Sequence, residues 1–156
     1  MKIEDQDLLL KDLCGRLPYG VKCQNFNHVY GKNVFKVTDI RDNGYVCGTI
    51  NNQHGWAVFD PLELKPYLFP LRSLTSSEAE AVEHIMGCNF PWNIQYGLLE
   101  WTVGGSVESE TFDLRIEQIE RLMEFFNSHH IDFRGLIPMG LAIDATGLNI
   151  YKEETK

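Results

Sequence analysis

The sequence has no apolar run longer than a few residues, Leu8-Leu9-Leu10 being typical, whereas a membrane-crossing helix needs about 20. A basic-then-apolar leader is missing too, because Met1 to Asp7 is polar and carries Glu4, Asp5 and Asp7. Neither export nor a membrane partner is expected, and the cytoplasm is the expected compartment. Cysteine is sparse and scattered: Cys14, Cys23, Cys47 and Cys88 include no closely spaced pair of the kind that brings two ligands to one zinc ion, so reduced, buried thiols are expected. Cys23 and His28 come nearest to such spacing but have no second pair, and no metal or other cofactor is expected. Gly104-Gly105 has no following Lys-Ser/Thr, which removes the usual phosphate-cradling loop. Between Arg72 and Arg115 there is no Lys or Arg at all, while Glu78, Glu80, Glu83, Glu100, Glu108, Glu110 and Asp113 all fall there. Direct nucleic-acid binding needs clustered cations and is not expected. Internal repeats and low-complexity segments are also lacking.

What is present is an ordinary globular composition. With 156 residues, 44% apolar and 12% aromatic, the chain can bury a sizeable core as one compact unit or two closely packed halves. Its net charge of −8 is confined to the second half: residues 1–78 are neutral, and the excess of acids lies in 79–156. Acids on helix faces keep a protein soluble, and where they converge they suit a basic protein partner.

The hydrophobic pattern predicts an α+β fold. Leu8, Leu9, Leu10, Leu13, Cys14 and Leu17 behind the acids of the N-terminus predict an amphipathic helix closed by Gly15 and Pro18. From Tyr19 the period changes to two: Tyr19, Val21 and Cys23 against Lys22 and Gln24, then Phe35 and Val37 against Lys36 and Thr38. Asp42-Asn43-Gly44 predicts a tight hairpin into Tyr45 to Ile50, and Asn51 to Gly55 a second turn into Trp56 to Phe59. Residues 19–60 therefore read as an antiparallel β meander or partial barrel. Asp60-Pro61, Pro66 and Pro70 predict a structured connector over 61–74. Thr75-Ser76-Ser77-Glu78 is a capping box, so a helix should start at about Ser76 and end at Gly87. Leu99 to Val103 and Val107 to Phe112 predict a second hairpin with a polar edge. Asp113 is placed to cap a longer helix with Ile116, Ile119, Met123, Phe126 and His130 on one stripe and a Glu117–Arg121 ion pair outside. The organisation expected is a helix plus meander over 1–60, the connector over 61–74, and an acidic helix–hairpin–helix half over 75–151 whose tail frays.

Few residues offer chemistry. His129 and His130 are adjacent, so on a continuous helix they point about 100° apart and cannot easily share one ion. His130 continues the apolar stripe and should pack, with a ring nitrogen on the helix end; His129 should be exposed. With Asp132 and Arg134 they could supply a base, an orienting group and an anion clamp, or simply a hydrogen-bonded turn. Cys14 or Cys88 could act as a thiol only with a base beside it. Glu108 and Glu110 share a strand face but lack apolar surroundings to raise a pKa. Tyr67, Phe69, Phe90 and Trp92 are candidate aromatic anchors if exposed.

Three stretches carry a resemblance: Leu10-Lys11-Asp12-Leu13-Cys14-Gly15-Arg16-Leu17-Pro18-Tyr19-Gly20-Val21; then Lys65-Pro66-Tyr67-Leu68 with Pro70 and Ser73-Leu74-Thr75; and His129-His130-Ile131-Asp132-Phe133-Arg134-Gly135-Leu136-Ile137. In these the chain resembles a set of small uncharacterised proteins of Bacteroides-group gut bacteria and their phages and prophages. The resemblance implies a mobile-element or gut-bacterial setting and no catalytic residue. The expected function is that of a non-enzymatic binding protein working through protein–protein contacts with an acidic surface. The alternative is a small hydrolase or transferase with a pocket at His129, His130, Asp132 and Arg134.

Overall fold

The structure, a computed structural model, describes residues 3–26, 33–50, 56–87, 92–93, 100–101 and 116–151. Helix α1 (Ile3–Arg16) opens with Glu4 and Asp5 in its first turn, where carboxylates oppose the positive end of the helix dipole. Gly15 does not close it. The glycine sits inside the last turn because a Cβ there would lie 3.0 Å from Asn127 Nδ2. The chain leaves α1 through a 3-10 turn at Leu17–Tyr19 that ends on Gly20 in the left-handed region, φ 69°. Tyr19 thus belongs to this turn, not to a strand.

Strands β1 (Lys22–Asn25), β2 (Val34–Ile40), β3 (Val46–Ile50) and β4 (Trp56–Phe59) form the expected meander in the order β4-β3-β2-β1, each pair antiparallel. The β2–β3 connection is a three-residue loop: the amide of Gly44 donates to Arg41 O at 2.8 Å, and Gly44 has φ 81°. That is a type I turn followed by a left-handed residue, which is why Gly follows Asp-Asn. The sheet is open, not a barrel.

The proline-bearing stretch expected as a connector is instead largely a strand, β5 (Leu64–Pro70), antiparallel to β1. The pairing explains how Pro66 is tolerated. Phe26 N donates to Glu63 O, and the register then alternates along Asn25–Leu64, Gln24–Lys65 and Cys23–Pro66. Cys23–Pro66 falls at a non-hydrogen-bonded position, so the missing proline amide removes nothing from that ladder. Beyond Pro66, β5 takes new partners: Leu68 O accepts from Ala145 N on the edge opposite β1, and Phe69 N donates to His130 O. After the helix α2 (Ser76–Met86), the two-residue pair β6 (Trp92–Asn93) and β7 (Glu100–Trp101), and the helix α3 (Ile116–Ser128), the chain returns as β8 (Ile131–Asp132) and β9 (Ile143–Asp144). Phe69–Pro70 pair in parallel with β8, and Tyr67–Leu68 with β9. The second half therefore contributes strands to the same mixed seven-stranded sheet as the meander.

Thr75 and Glu78 cap α2 reciprocally: Glu78 N donates to Thr75 Oγ1 at 3.3 Å and Thr75 N to Glu78 Oε2 at 2.7 Å, and Gly87 ends the helix at φ 71°. The expected second strand with Glu108 and Glu110, the Gly104-Gly105 turn, the Asp113 cap, Cys88, Phe90 and His28 lie outside the described residues. Among the described residues no helix is long and apolar enough to cross a membrane.

Two clusters form the core. In the larger, Leu9 and Leu13 of α1 pack on Val21, Cys23, Phe35, Val37, Val46, Phe59, Leu64 and Leu68 of the sheet, joined by Leu136, Leu141 and Ala142. The smaller joins α2, α3 and the end of β5 through Val82, Phe126, Leu71 and Ile131. Cys23 and Cys47 are buried as expected, but Cys14 is exposed, because Leu9, Asp12, Leu13 and Arg16 take the inward side of α1. The expected ion pair Glu117–Arg121 is not among the pairs formed by the described residues.

In the larger cluster the Phe35 ring stacks on Phe59 at 4.2 Å between centroids. It lies over Gly48 so closely that a Cβ there would come 2.3 Å from Phe35 Cδ2 and 2.7 Å from the Lys36 carbonyl. The carbonyl belongs to the β2 backbone and cannot move aside. Gly48→Ala should cost about 1 to 3 kcal/mol in urea unfolding, the usual scale of overpacking. Unchanged stability would show that the two strands can part at this point.

Candidate functional site

The polar groups of the interior gather where α1, the end of α3, β5 and the C-terminal segment meet. Asp12 and Arg16 are one helical turn apart on α1, and both are 0% exposed. Arg16 grips the carboxylate with two donors, Nε to Oδ2 at 2.7 Å and Nη2 to Oδ1 at 3.0 Å. Its remaining capacity goes to backbone: Nη1 donates to Phe126 O at 3.2 Å and Nη2 to Ile131 O at 2.7 Å. Arg134, partly exposed, brings a second cation to Asp12 with Nε 3.4 Å from Oδ1. The ring of Phe133 lies under both guanidinium groups, 4.7 Å from Arg134 and 5.6 Å from Arg16.

A second knot centres on Tyr151. Its hydroxyl donates to Tyr67 O at 2.7 Å and accepts from Lys22 N at 3.2 Å. Lys22 Nζ donates to Ile150 O at 2.6 Å. The Tyr151 ring lies flat on His130, 3.9 Å between centroids and 12° between planes. Tyr67 is buried with its hydroxyl donating to Gln24 Oε1 at 3.1 Å. It is therefore not an exposed anchor, because β5 turns it into the sheet.

The sequence-predicted residues 129–134 take separate partners. His129 is exposed; its ring stacks on Phe125 at 4.2 Å, and Nδ1 donates to Phe125 O at 2.9 Å. A carbonyl can only accept, so this bond fixes the Nδ1–H tautomer. His130 is buried and caps α3 in the left-handed region, φ 55°, with its amide donating to Asn127 O and its carbonyl accepting from Phe69 N. Its ring does not reach the helix end as expected; it turns onto Tyr151, and Nδ1 has no hydrogen-bond partner among the described residues. Glycine is the usual occupant of such a cap, so the imidazole is held there against a backbone cost. Asp132 is buried and accepts from Leu136 N at 2.8 Å and Ile137 N at 2.7 Å, closing the turn after β8. Arg134 joins Asp12. No hydrogen bond or ion pair links any two of these four side chains.

The electrostatics agree with packing roles for these groups. Burial, reinforced by the charges of Arg16, His129 and Lys22, lowers the pKa of His130 to about 4. Burial and the Asp12 carboxylate push the Cys23 thiol far up, so it carries no thiolate at neutral pH. Burial also raises Tyr151. Among the described residues no three His, Cys, Asp or Glu side chains are grouped as metal ligands. Sequence reasoning missed Asp12 and Arg16. The signal was available: both share the stripe of Leu9 and Leu13, so a charged i,i+4 pair stands on the apolar face of α1. Compared with family models, curated proteins and solved structures, the chain shows no significant match to any.

The lowered His130 pKa sets a pH dependence. Below its ordinary value of 6.5 the unfolded chain takes up a proton that the folded chain refuses until about pH 4. Stability therefore falls as pH falls through that window, by up to about 3 kcal/mol. His130→Asn, which tolerates the left-handed backbone and does not titrate, should flatten that part of the stability profile in urea titrations from neutral pH to pH 4. An equally steep profile in the variant would remove His130 as the cause.

Proposed function

We propose that this chain is a non-enzymatic binding protein of the cytoplasm that works through protein–protein contacts, presenting a negatively charged surface to a basic partner. On the resemblance noted above, its setting is a phage or prophage of gut bacteria. The observation that carries the reading is the division of labour among the charged groups. Those inside, Asp12, Arg16, Asp132 and the imidazole of His130, are committed to backbone, to each other or to ring stacking, while the acids of α3 and Glu80 of α2 face water. Glu80, Glu117, Glu120 and Glu124 are exposed.

Hydrolysis or group transfer at residues 129–134 would need one of those groups free to hold a nucleophile or a water. His129 bonds Nδ1 to its own helix and its exposed ring has no nucleophile hydrogen-bonded at Nε2 among the described residues, Asp132 spends both oxygens on amides, and Arg134 faces Asp12. Acidic surfaces attract basic partners over about a Debye length, which shortens as salt rises.

The tagged protein, used as bait in a bacterial lysate treated with nuclease, should retain basic proteins at low salt. Retention should drop at least several-fold at raised salt, and also in the variant Glu117→Gln/Glu120→Gln/Glu124→Gln. Retention insensitive to both changes, or none, would count against an acidic binding surface.

A further inference from the structure

We infer that the outer edge of α3, formed by Ile116, Ile119 and Met123 with Glu117, Glu120 and Glu124 beside them, is the docking surface of this protein, and that its occupant is an amphipathic helix whose apolar stripe is bordered by Lys or Arg. The inference rests on the binding reading above and names its site and partner chemistry.

The three apolar residues recur at intervals of three and four, so they form one stripe along the helix. They are exposed to 76%, 42% and 37%. The same stripe continues into Phe126 and His130, which are buried. Its C-terminal end is thus covered by the protein and its first two turns face water. Three large apolar side chains side by side on one exposed edge mark an interaction surface more readily than isolated ones do.

Helix α3 does not need this edge for its own anchorage. Leu122, Phe125 and Phe126 pack in the smaller core cluster, and Gln118 Nε2 donates to Met86 O at 3.0 Å at the end of α2. Asn127 packs on Gly15 of α1, and Arg16 holds the Phe126 carbonyl. The helix is fixed from three directions, so docking orders little that is not already ordered.

Charge selects the occupant. At 100° per residue, Glu117, Glu120 and Glu124 line one side of the stripe, with Arg121 beyond them. All three acids are exposed, and the Tyr19 hydroxyl donates to Glu124 Oε1 at 3.4 Å, holding the last of them in place. A second copy would set acids against acids, and anionic lipid or nucleic acid would be repelled. A stripe at helical spacing along a straight helix accepts another helix by ridge-into-groove packing, and basic residues next to the partner's apolar stripe would meet the glutamates.

The test uses the whole, isotope-labelled chain and three synthetic peptides: a helical Leu/Lys peptide with its leucines on one stripe, the same composition scrambled, and the Leu/Glu counterpart. Amide shifts should move over residues 116–124 with the Leu/Lys peptide only. Affinity should weaken about tenfold at raised salt, and about tenfold or more in Ile119→Ser/Met123→Ser. These positions are exposed, and an unchanged urea midpoint would show the variant intact. Shifts confined to other acidic residues would overturn this docking face while leaving an acidic binding surface standing, and the lysate retention described above decides that reading separately. Failure of the Leu/Lys peptide to shift residues 116–124, or concentration-dependent self-association abolished by Ile119→Ser, would also overturn the inference.

Discussion

The fold depends on a buried guanidinium. Arg16 closes a bidentate pair with Asp12 inside one helix, then uses its outer donors to hold the carbonyls of Phe126 and Ile131. Taking both charges out of water carries a desolvation cost of several kcal/mol per ion, which only good geometry and filled hydrogen-bonding capacity can offset. Here the carboxylate has a second cation in Arg134, and the guanidinium has two carbonyls. The arrangement joins three elements at one atom group: the end of α1, the last turn of α3, and β8. From β8 the constraint passes to β5, whose Phe69 amide donates to the His130 carbonyl. The two core clusters meet at this junction, so the orientation of α3 and of the edge it presents to water follows from it.

Much of the architecture was legible because it is written in local signals. Thr75 with Glu78 specifies a helix start, and Asp42-Asn43-Gly44 a turn. The alternation of Phe35, Lys36, Val37 and Thr38 gives a strand with one buried face. What escaped depends on partners distant in sequence. Pro66 argues against a strand until its register with Cys23 places it where no amide is required. Asp12 and Arg16 stand on the apolar stripe of Leu9 and Leu13, but the partners that fill the guanidinium, Phe126 and Ile131, lie more than a hundred residues away. His130 extends an apolar stripe as expected, but the stacking on Tyr151 requires the C-terminal segment to cross over Lys22 and Tyr67. The stripe of α3 divides, Phe126 inside and Ile116 outside, for a reason that periodicity does not contain: only its C-terminal end meets the smaller core cluster.

The stretches 10–21, 65–75 and 129–137 lie apart in the chain and converge in the fold. Arg16 reaches Ile131, Phe69 in the second stretch reaches His130, and Asp12 faces Arg134. Their polar residues have the connectivity of a joint: Arg16 is answered by the Asp12 carboxylate and two backbone carbonyls, and Asp132 by two backbone amides. In that arrangement the interior charges fix the shape, and Glu80, Glu117, Glu120 and Glu124 stay on the exposed faces of α2 and α3.

The most direct measurement of the claim that these interior charges are scaffold is equilibrium unfolding of Arg16→Met, Asp12→Leu and the double variant. Removing Arg16 alone leaves the buried Asp12 carboxylate with only the partly exposed Arg134 beside it and should cost about 3 to 5 kcal/mol, while the double variant, with no buried carboxylate left to solvate, should recover the larger part of that loss. An Arg16→Met protein within about 0.5 kcal/mol of the parent, the scale of an ordinary surface substitution, would contradict the account.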